Sequence, residues 1–194
     1  MQFLTDDVVA RGRLTVIRRK RMRDARDEYR WRSDEELAQF DASRPVQSPF
    51  ENYERNWSFD YRFTDMAGRS FAVEDDRGRH IGNIMYYNID HGRAEAEIGI
   101  SIGERDCWSR GYGSDALVAL TRNLFRTTAL SRFYLHTLDW NERAQRAFRR
   151  AGFEISGTSW KDGHTFVVME LRREWVEAPQ VAVADPAPRL IAAG

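Results

Sequence analysis

Between Ala94 and Ile102 the chain alternates apolar and polar positions: Ile98, Ile100 and Ile102 fall on one face, Glu97, Gly99 and Ser101 on the other. That is the period of a strand with one buried side. After it the period changes. Leu117, Leu120, Leu124 and Phe125 recur at helical spacing and predict a helix over Ser114 to Thr128. Upstream, Leu14 to Ile17 reads as a short first strand. Met22 to Phe40 reads as two helices meeting near Ser33, where Ser33-Asp34-Glu35-Glu36 carries an N-cap signal. Ser43 to Pro49 is a loop, and Glu51 to Trp57 a short aromatic-bearing helix. Ser70 to Glu74 and His80 to Ile89 are strands joined by a turn at Asp75 to Gly78. A second turn at Asp90 to Arg93 leads into the isoleucine strand. Downstream come a strand over Phe133 to Leu138, a helix capped by Asn141 with Ala144, Phe148 and Ala151 inside, a stop at Gly152, and a last strand over His164 to Leu171.

Strand, helices, several strands, helix, strand, helix, strand is the order of an α/β domain with a mixed sheet and helices packed against it. Residues 1–12 read as a lead-in, 13–177 as the folded domain, and 178–194, mostly Ala, Pro and Val, as a flexible tail. A length of 194 residues with 42% apolar and 31% charged positions suits one globular domain. Thirty basic residues balance thirty acidic ones, so neither nucleic acid nor an anionic membrane is an expected partner. No apolar run approaches the roughly 18 residues of a membrane span. The first residues carry acids where a signal peptide would be basic, and the expected location is the cytoplasm. Cys107 is the one cysteine, which excludes an internal disulfide and a thiolate metal cluster. His80, His91 and His164 have no ligand-like spacing, and no metal is expected.

Candidate chemistry concentrates where the isoleucine strand meets the next helix, at Trp108-Ser109-Arg110-Gly111-Tyr112-Gly113-Ser114. Two glycines one residue apart permit close approach of backbone to a ligand. A helix starting directly after them offers unpaired N–H groups and a positive dipole end, an anion site suited to a pyrophosphate. Arg110 can add local positive charge. A tight turn without a ligand fits the same residues equally well. The loop is not the dinucleotide fingerprint, since Ala116 stands at the third glycine, and no Lys-Ser/Thr follows as in a nucleotide-triphosphate loop.

Three blocks together resemble the GNAT superfamily of N-acetyltransferases, and within it the branch of the ribosomal-protein N-terminal acetyltransferases. They are Ala96-Glu97-Ile98-Gly99-Ile100, the run from Arg105 to Leu117, and Asn141-Glu142-Arg143-Ala144 followed by Phe148 and Gly152-Phe153. Trp31 to Asp34 and the segment from Asp162 to Trp175 share the likeness. The resemblance implies a mixed, mostly antiparallel sheet with a splay between its two central strands, and acetyl-CoA as cosubstrate. It implies that Trp108 to Ser114 wraps the pyrophosphate, with Gly111 and Gly113 required for geometry. Ile100 and Ile102 then lie along the pantetheine arm, Asn141 faces the cofactor, and Glu97 is the general base, acting through water. Acetyl transfer to a primary amine follows, on a protein N-terminus or a small molecule, in a ternary complex; a homodimer is in keeping with the resemblance. Phe148 departs from the pattern, because many members carry a tyrosine there that protonates the leaving sulfur. Tyr134 and His136, on one face of the preceding strand, are the substitutes within reach. The departure also keeps open a catalytically weak acyl-CoA-binding or regulatory module. The acceptor side would draw on Phe50, Tyr53, Trp57 and Phe59 as walls, and on Asp34, Glu51, Glu54 and Asp60 as anionic attraction.

Overall fold

The computed structural model describes residues 7–63 and 68–177. The tail expected from residue 178 onward, and the side chains of Phe59 and Asp60, lie outside the described residues. The elements run β1 (Val8–Arg11), β2 (Val16–Arg19), α1 (Asp24–Arg32), α2 (Glu35–Phe40), α3 (Phe50–Phe63), β3 (Gly68–Glu74), β4 (His80–Asp90) and β5 (Glu95–Ile102). After a 3-10 turn at Arg105–Cys107 follow α4 (Tyr112–Thr127), β6 (Arg132–Leu138), α5 (Glu142–Arg150), β7 (Glu154–Lys161), β8 (His164–Arg172) and α6 (Arg173–Glu177). The described strands form one mixed sheet in the order β1-β2-β3-β4-β5-β6-β8-β7. Among the described residues only the β5–β6 pair is parallel, and it joins the two halves of the sheet.

One face of the sheet buries the apolar positions of its central strands, Ile84, Ile98, Phe133, Leu135 and Met169, against Leu117, Leu120, Leu124 and Phe125 of α4 and Phe148 of α5. These are the stripes that the strand and helix periods mark in the sequence, and each fully buried side chain of this size stabilises by about 1.5–3 kcal/mol. The opposite face carries Tyr87, Glu97 and His136, and toward it fold α1 to α3.

The sheet begins earlier than the sequence pattern suggests. Val8–Arg11 pairs antiparallel with Val16–Arg19, so residues taken as lead-in form an edge strand. What holds them is remote in sequence: the Asp115 carboxylate accepts from the backbone N–H groups of Arg13, Leu14 and Thr15 and from the Thr15 hydroxyl, at 2.7–3.0 Å. A Cβ on Gly12 would lie 2.0 Å from the Asp115 Oδ2 atom; the turn therefore needs glycine. Strand β7 and the short α6 are further additions. Helix α3 starts one residue before Glu51 and continues to Phe63. At the α1–α2 junction Ser33 is the C-cap of α1, and the N-cap of α2 is Asp34, whose side chain accepts from the Leu37 N–H.

A buried ion cluster ties the front of the molecule together. Arg18 on β2, 1% exposed, reaches Asp24 at the start of α1 (2.7 Å) and Glu74 on β3 (2.5 Å). Burial alone would raise the Asp24 carboxyl; hydrogen bonds from Arg18 and from the Arg21 N–H outweigh it and hold that carboxyl below its usual range. Among the described helices none is long and apolar enough to cross a membrane.

Candidate active site

The ladder between β5 and β6 is short. Register pairs Glu95 with Arg132, Ala96 with Phe133 and Glu97 with Tyr134, and stops there. Beyond Glu97 the strands part, and β5 keeps only β4 as a neighbour, through Ile98–Tyr86, Ile100–Ile84 and Ile102–Gly82. Which backbone groups face the gap follows from the antiparallel alternation. The Gly103 N–H donates to the Ile81 carbonyl, so the ladder bonds to β4 fall on Ser101, Gly99 and Glu97. Ile98, Ile100 and Ile102 turn their N–H and C=O groups the other way, toward β6. The Ile98 N–H falls within the last ladder step, opposite Tyr134, while the Ile98 carbonyl and the groups of Ile100 and Ile102 face the fork. The Ile102 carbonyl accepts from the Trp108 indole N–H at 2.7 Å. Those of Ile98 and Ile100 are left as an interior strand edge. At the closed end Arg132 joins both tines, bonded to Glu95 of β5 at 2.5 Å and to Glu170 of β8 at 2.6 Å.

The fork opens into a cleft of about 690 Å³. Around it stand Glu97, Ile100, Ile102, Trp108, Ser109, Gly111, Tyr112, Gly113, Ser114 and Asn141, so the structure brings these predicted positions to one place. Arg110 is the exception: its guanidinium turns back onto the Asp106 carbonyl and is not part of the cleft wall.

Local geometry explains the loop. Gly111 has φ +93° and is the N-cap of α4, a conformation that costs glycine little and other residues more. Ser109 also takes a positive φ, +59°. Gly113 differs from expectation. It lies within the first turn of α4, and a Cβ there would meet Ile102 Cγ1 at 3.7 Å, an ordinary contact; backbone conformation does not require a glycine at that position. The first intrahelical bond is Asp115 N–H to the Gly111 carbonyl. The N–H groups preceding it therefore have no partner inside the helix and sit at its positive end.

The loop is held from outside by aromatics. Trp108 lies edge-on to Phe40 of α2, ring centroids 5.8 Å apart, and the Arg143 guanidinium lies 3.7 Å from the indole centroid and 4.5 Å from Phe40. Burial lowers the Arg143 proton affinity, against a smaller attraction from Glu36. Arg105 binds Asp34 and Glu36 on α2, both at 2.8 Å, which removes Asp34 from the expected acceptor-attracting set. Gly103 admits no side chain, since a Cβ would come within 2.1 Å of the Trp31 ring.

At the crotch of the fork three donors converge on Glu97: the Tyr87 hydroxyl at 3.0 Å, the Asn88 amide at 2.9 Å and Nδ1 of His136 at 2.9 Å. Burial, with the nearby Glu97 charge, pushes the Tyr87 phenol well above its usual range and also raises Tyr134. Tyr134 packs edge-on to His136, centroids 5.9 Å apart, and does not line the cleft; His136 does. Asn141 is 8% exposed, and its oxygen accepts from the Ala144 N–H, which leaves the amide nitrogen for other partners. Phe148, 7% exposed, stands against Phe153 and brings no hydroxyl to the cleft. Cys107 is buried beside Arg79 (3.2 Å), and burial raises its thiol.

A second cavity, of about 1050 Å³, includes Glu28, Trp31, Tyr53, Trp57, Asn83 and Met85 in its wall. Leu37, Asp41 and Ser101 border both cavities, and there the two meet. Tyr53 and Trp57 stand where expected. Phe50 instead packs on Tyr29 and under Arg26, and neither Glu51 nor Glu54 reaches the wall. The Asp41 carboxyl, though half exposed, is raised by the protein around it, partly offset by Arg32. Tyr87, Asp41 and Arg143 escaped the sequence reading because their roles depend on cross-strand register and on helix packing. Among the described residues no group of three or more His, Cys, Asp or Glu side chains could hold a metal ion.

No curated protein sequence matches this one. Among solved structures, the aminoglycoside acetyltransferase AAC(6')-Ib in complex with coenzyme A is 18% identical, with a TM-score of 0.71 over 84% of this chain and 97% of that one. The Vibrio cholerae spermidine N-acetyltransferase in complex with CoA and spermine is 21% identical, with a TM-score of 0.70 over 84% and 98%. A GNAT-family acetyltransferase from Bacillus anthracis is 17% identical, with a TM-score of 0.70 over 85% and 98%. At these identities the likeness is one of fold. The profile of the acetyltransferase (GNAT) domain matches residues 13–154, and the chain therefore belongs to the GNAT acetyltransferase family.

Proposed function

We propose that this protein transfers the acetyl group of acetyl-CoA directly to a primary amine, with residues 13–177 as the working unit. The observation that carries the reading is the fork. An interior strand edge at Ile98 and Ile100 runs up to the open N-terminus of α4, so one extended ligand with amides along its length and a pyrophosphate at its end finds a partner for each. The N–H groups at the start of α4, with the loop from Trp108 to Ser114, suit the pyrophosphate; Arg110 serves at the rim rather than within. The amide nitrogen of Asn141 faces the same ligand. A strand N–H in the fork can polarise the thioester carbonyl as charge develops on its oxygen.

Direct transfer is favoured over a covalent acetyl-enzyme by two features. The second cavity meets the first beside Ser101, so an amine reaches the fork from the opposite side to the loop. Cys107, buried and with its thiol raised, is a poor nucleophile. The contacts of Tyr87, Asn88 and His136 with Glu97 support reading this end of the fork as the place where the proton is handled. The structures that share the fold include ones holding an aminoglycoside-modifying enzyme's coenzyme and a spermine; the acceptor here is an amine of the same broad kind, a protein N-terminus or a small molecule.

Phe148 favours the second reading, a binding module that holds acyl-CoA without turnover. Calorimetry with acetyl-CoA and free-thiol release against a panel of amines separate the two. Binding with amine-dependent thiol release is the expected result. Tight binding with no amine able to release thiol would leave the module, and absence of binding at tens of micromolar would remove both.

A further inference from the structure

Glu97 is already surrounded. Its Oε1 accepts from Tyr87 and faces Nδ1 of His136, and its Oε2 accepts from Asn88. An ionised carboxylate is acceptor-only, so Nδ1 of His136 carries the hydrogen of that contact and Nε2 keeps a lone pair. Among the described residues Nε2 has no hydrogen-bond partner. The ring is one-third exposed, with 33% of its side-chain surface accessible, and it lines the cleft. His136 is also the next β6 residue on the Glu97 face after Tyr134, where the β5–β6 pairing ends. The imidazole therefore stands just above the crotch of the fork, on the wall of the gap in which a thioester would lie.

We infer that His136 is the proton carrier of the transfer and that Glu97 is its positioning residue, an assignment that rests on the acetyltransferase reading above. The neutral amine attacks the thioester carbon and the C–N bond forms; Nε2 takes the proton that the attacking nitrogen must lose. As the C–S bond breaks, the same imidazolium gives that proton to the departing sulfur. The sum is amine plus acetyl-CoA giving amide plus CoA thiol, with no proton left over. One group doing both tasks accounts for a functional site in which Phe148 has nothing to donate. Glu97 stabilises the imidazolium while it exists and fixes the tautomer, and Tyr87 and Asn88 fix Glu97. Of the other titratable groups, Tyr134 on its own strand packs against this ring and His164 on β8 meets it through Phe166, while Asp41 after α2, Lys161 on β7, and Arg143, Arg146 and Arg150 of α5 line the same cleft.

The test is steady-state thiol release by wild type, His136→Gln and Glu97→Gln over a pH series, with two acceptor amines of different pKa. Acetyl-CoA affinity, measured by calorimetry, serves as the control. Wild type should show an acidic limb in kcat that stays in place when the acceptor is changed. His136→Gln should lose that limb and about 10²–10³-fold in kcat, with acetyl-CoA affinity within a factor of about two of wild type, and His136→Ala should recover turnover with added imidazole. A His136→Gln enzyme that keeps its kcat or its limb, while Glu97→Gln loses both, overturns the inference and leaves Glu97 as the base. Wild-type protein that neither binds acetyl-CoA nor releases thiol overturns the acetyltransferase reading, and this inference with it.

Discussion

Arg143 lies over Trp108, its guanidinium 3.7 Å from the centre of the indole, and the indole in turn donates to the Ile102 carbonyl at the open end of the fork. Helix α5, the loop and β5 are thus joined through a single aromatic ring. A desolvated cation–π contact contributes up to about 2 kcal/mol. Trp108→Ala removes the cation–π contact and the hydrogen bond together, and should weaken acetyl-CoA binding by at least about tenfold while melting temperature falls by about 4–8 °C. Titration calorimetry on the folded variant checks it; unchanged affinity would mean that the loop keeps its shape without the ring.

Asn141 allows its two roles to be separated. Its oxygen caps α5 through the Ala144 N–H, and an aspartate can do the same. Asn141→Asp should hold stability within about 0.5 kcal/mol of wild type, whereas Asn141→Ala should lose about 1 kcal/mol of cap. Both variants lack the amide donor and should bind acetyl-CoA more weakly. If Asn141→Asp binds as wild type does, the residue is a cap alone.

Gly103→Ala should destabilise the protein by about 1–3 kcal/mol. The new methyl would sit 2.1 Å from the Trp31 indole, and that ring, 5% exposed and packed 4.8 Å from His80, has little room to yield. By contrast Gly113→Ala should leave stability nearly unchanged, since its Cβ finds an ordinary contact. Denaturant titration of the two variants should order them so.

The Arg18 cluster predicts an acid-sensitive fold. The Asp24 carboxyl is held below its unfolded range, so its contribution is complete above the ordinary aspartate pKa of about 3.9. It is lost as pH falls through the lower folded value. Stability measured by denaturant between pH 7 and pH 3 should fall toward the acid end. Asp24→Asn should flatten that part of the profile and, by leaving Arg18 buried with one partner fewer, cost about 3–5 kcal/mol at neutral pH. A variant with wild-type stability at pH 7 would show that Glu74 alone satisfies the guanidinium.

Much of this was legible in the chain because local period and tertiary role agree. The isoleucine alternation marks β5, its buried face and the Glu97 side; the leucine stripe marks α4; Asn141 and Gly152 bracket α5. The failures share a cause. Strand β1 is four residues of modest pattern, held by Asp115 a hundred positions away. Strand β7 lies at the sheet edge with nearly every residue exposed, so nothing in Glu154 to Lys161 needed to alternate. Gly113 resembles a loop glycine in sequence, yet the helix begins one residue before it. Tyr87 and His136 reach Glu97 only through cross-strand register, which neither strand encodes alone.

The Arg132 contacts at the closed end of the fork have a mechanical side. From Arg132 up to the Glu97–Tyr134 pair the two halves of the sheet are bonded; beyond that pair they are free. Ile102 lies five residues beyond Glu97, roughly 16 Å along the strand, so a small rotation about the bonded end becomes a larger change in gap at the far end. Arg132 is in that sense the pivot pin of a pair of tongs. The width available to whatever slides between the jaws is set on the side of the molecule away from the loop that grips it.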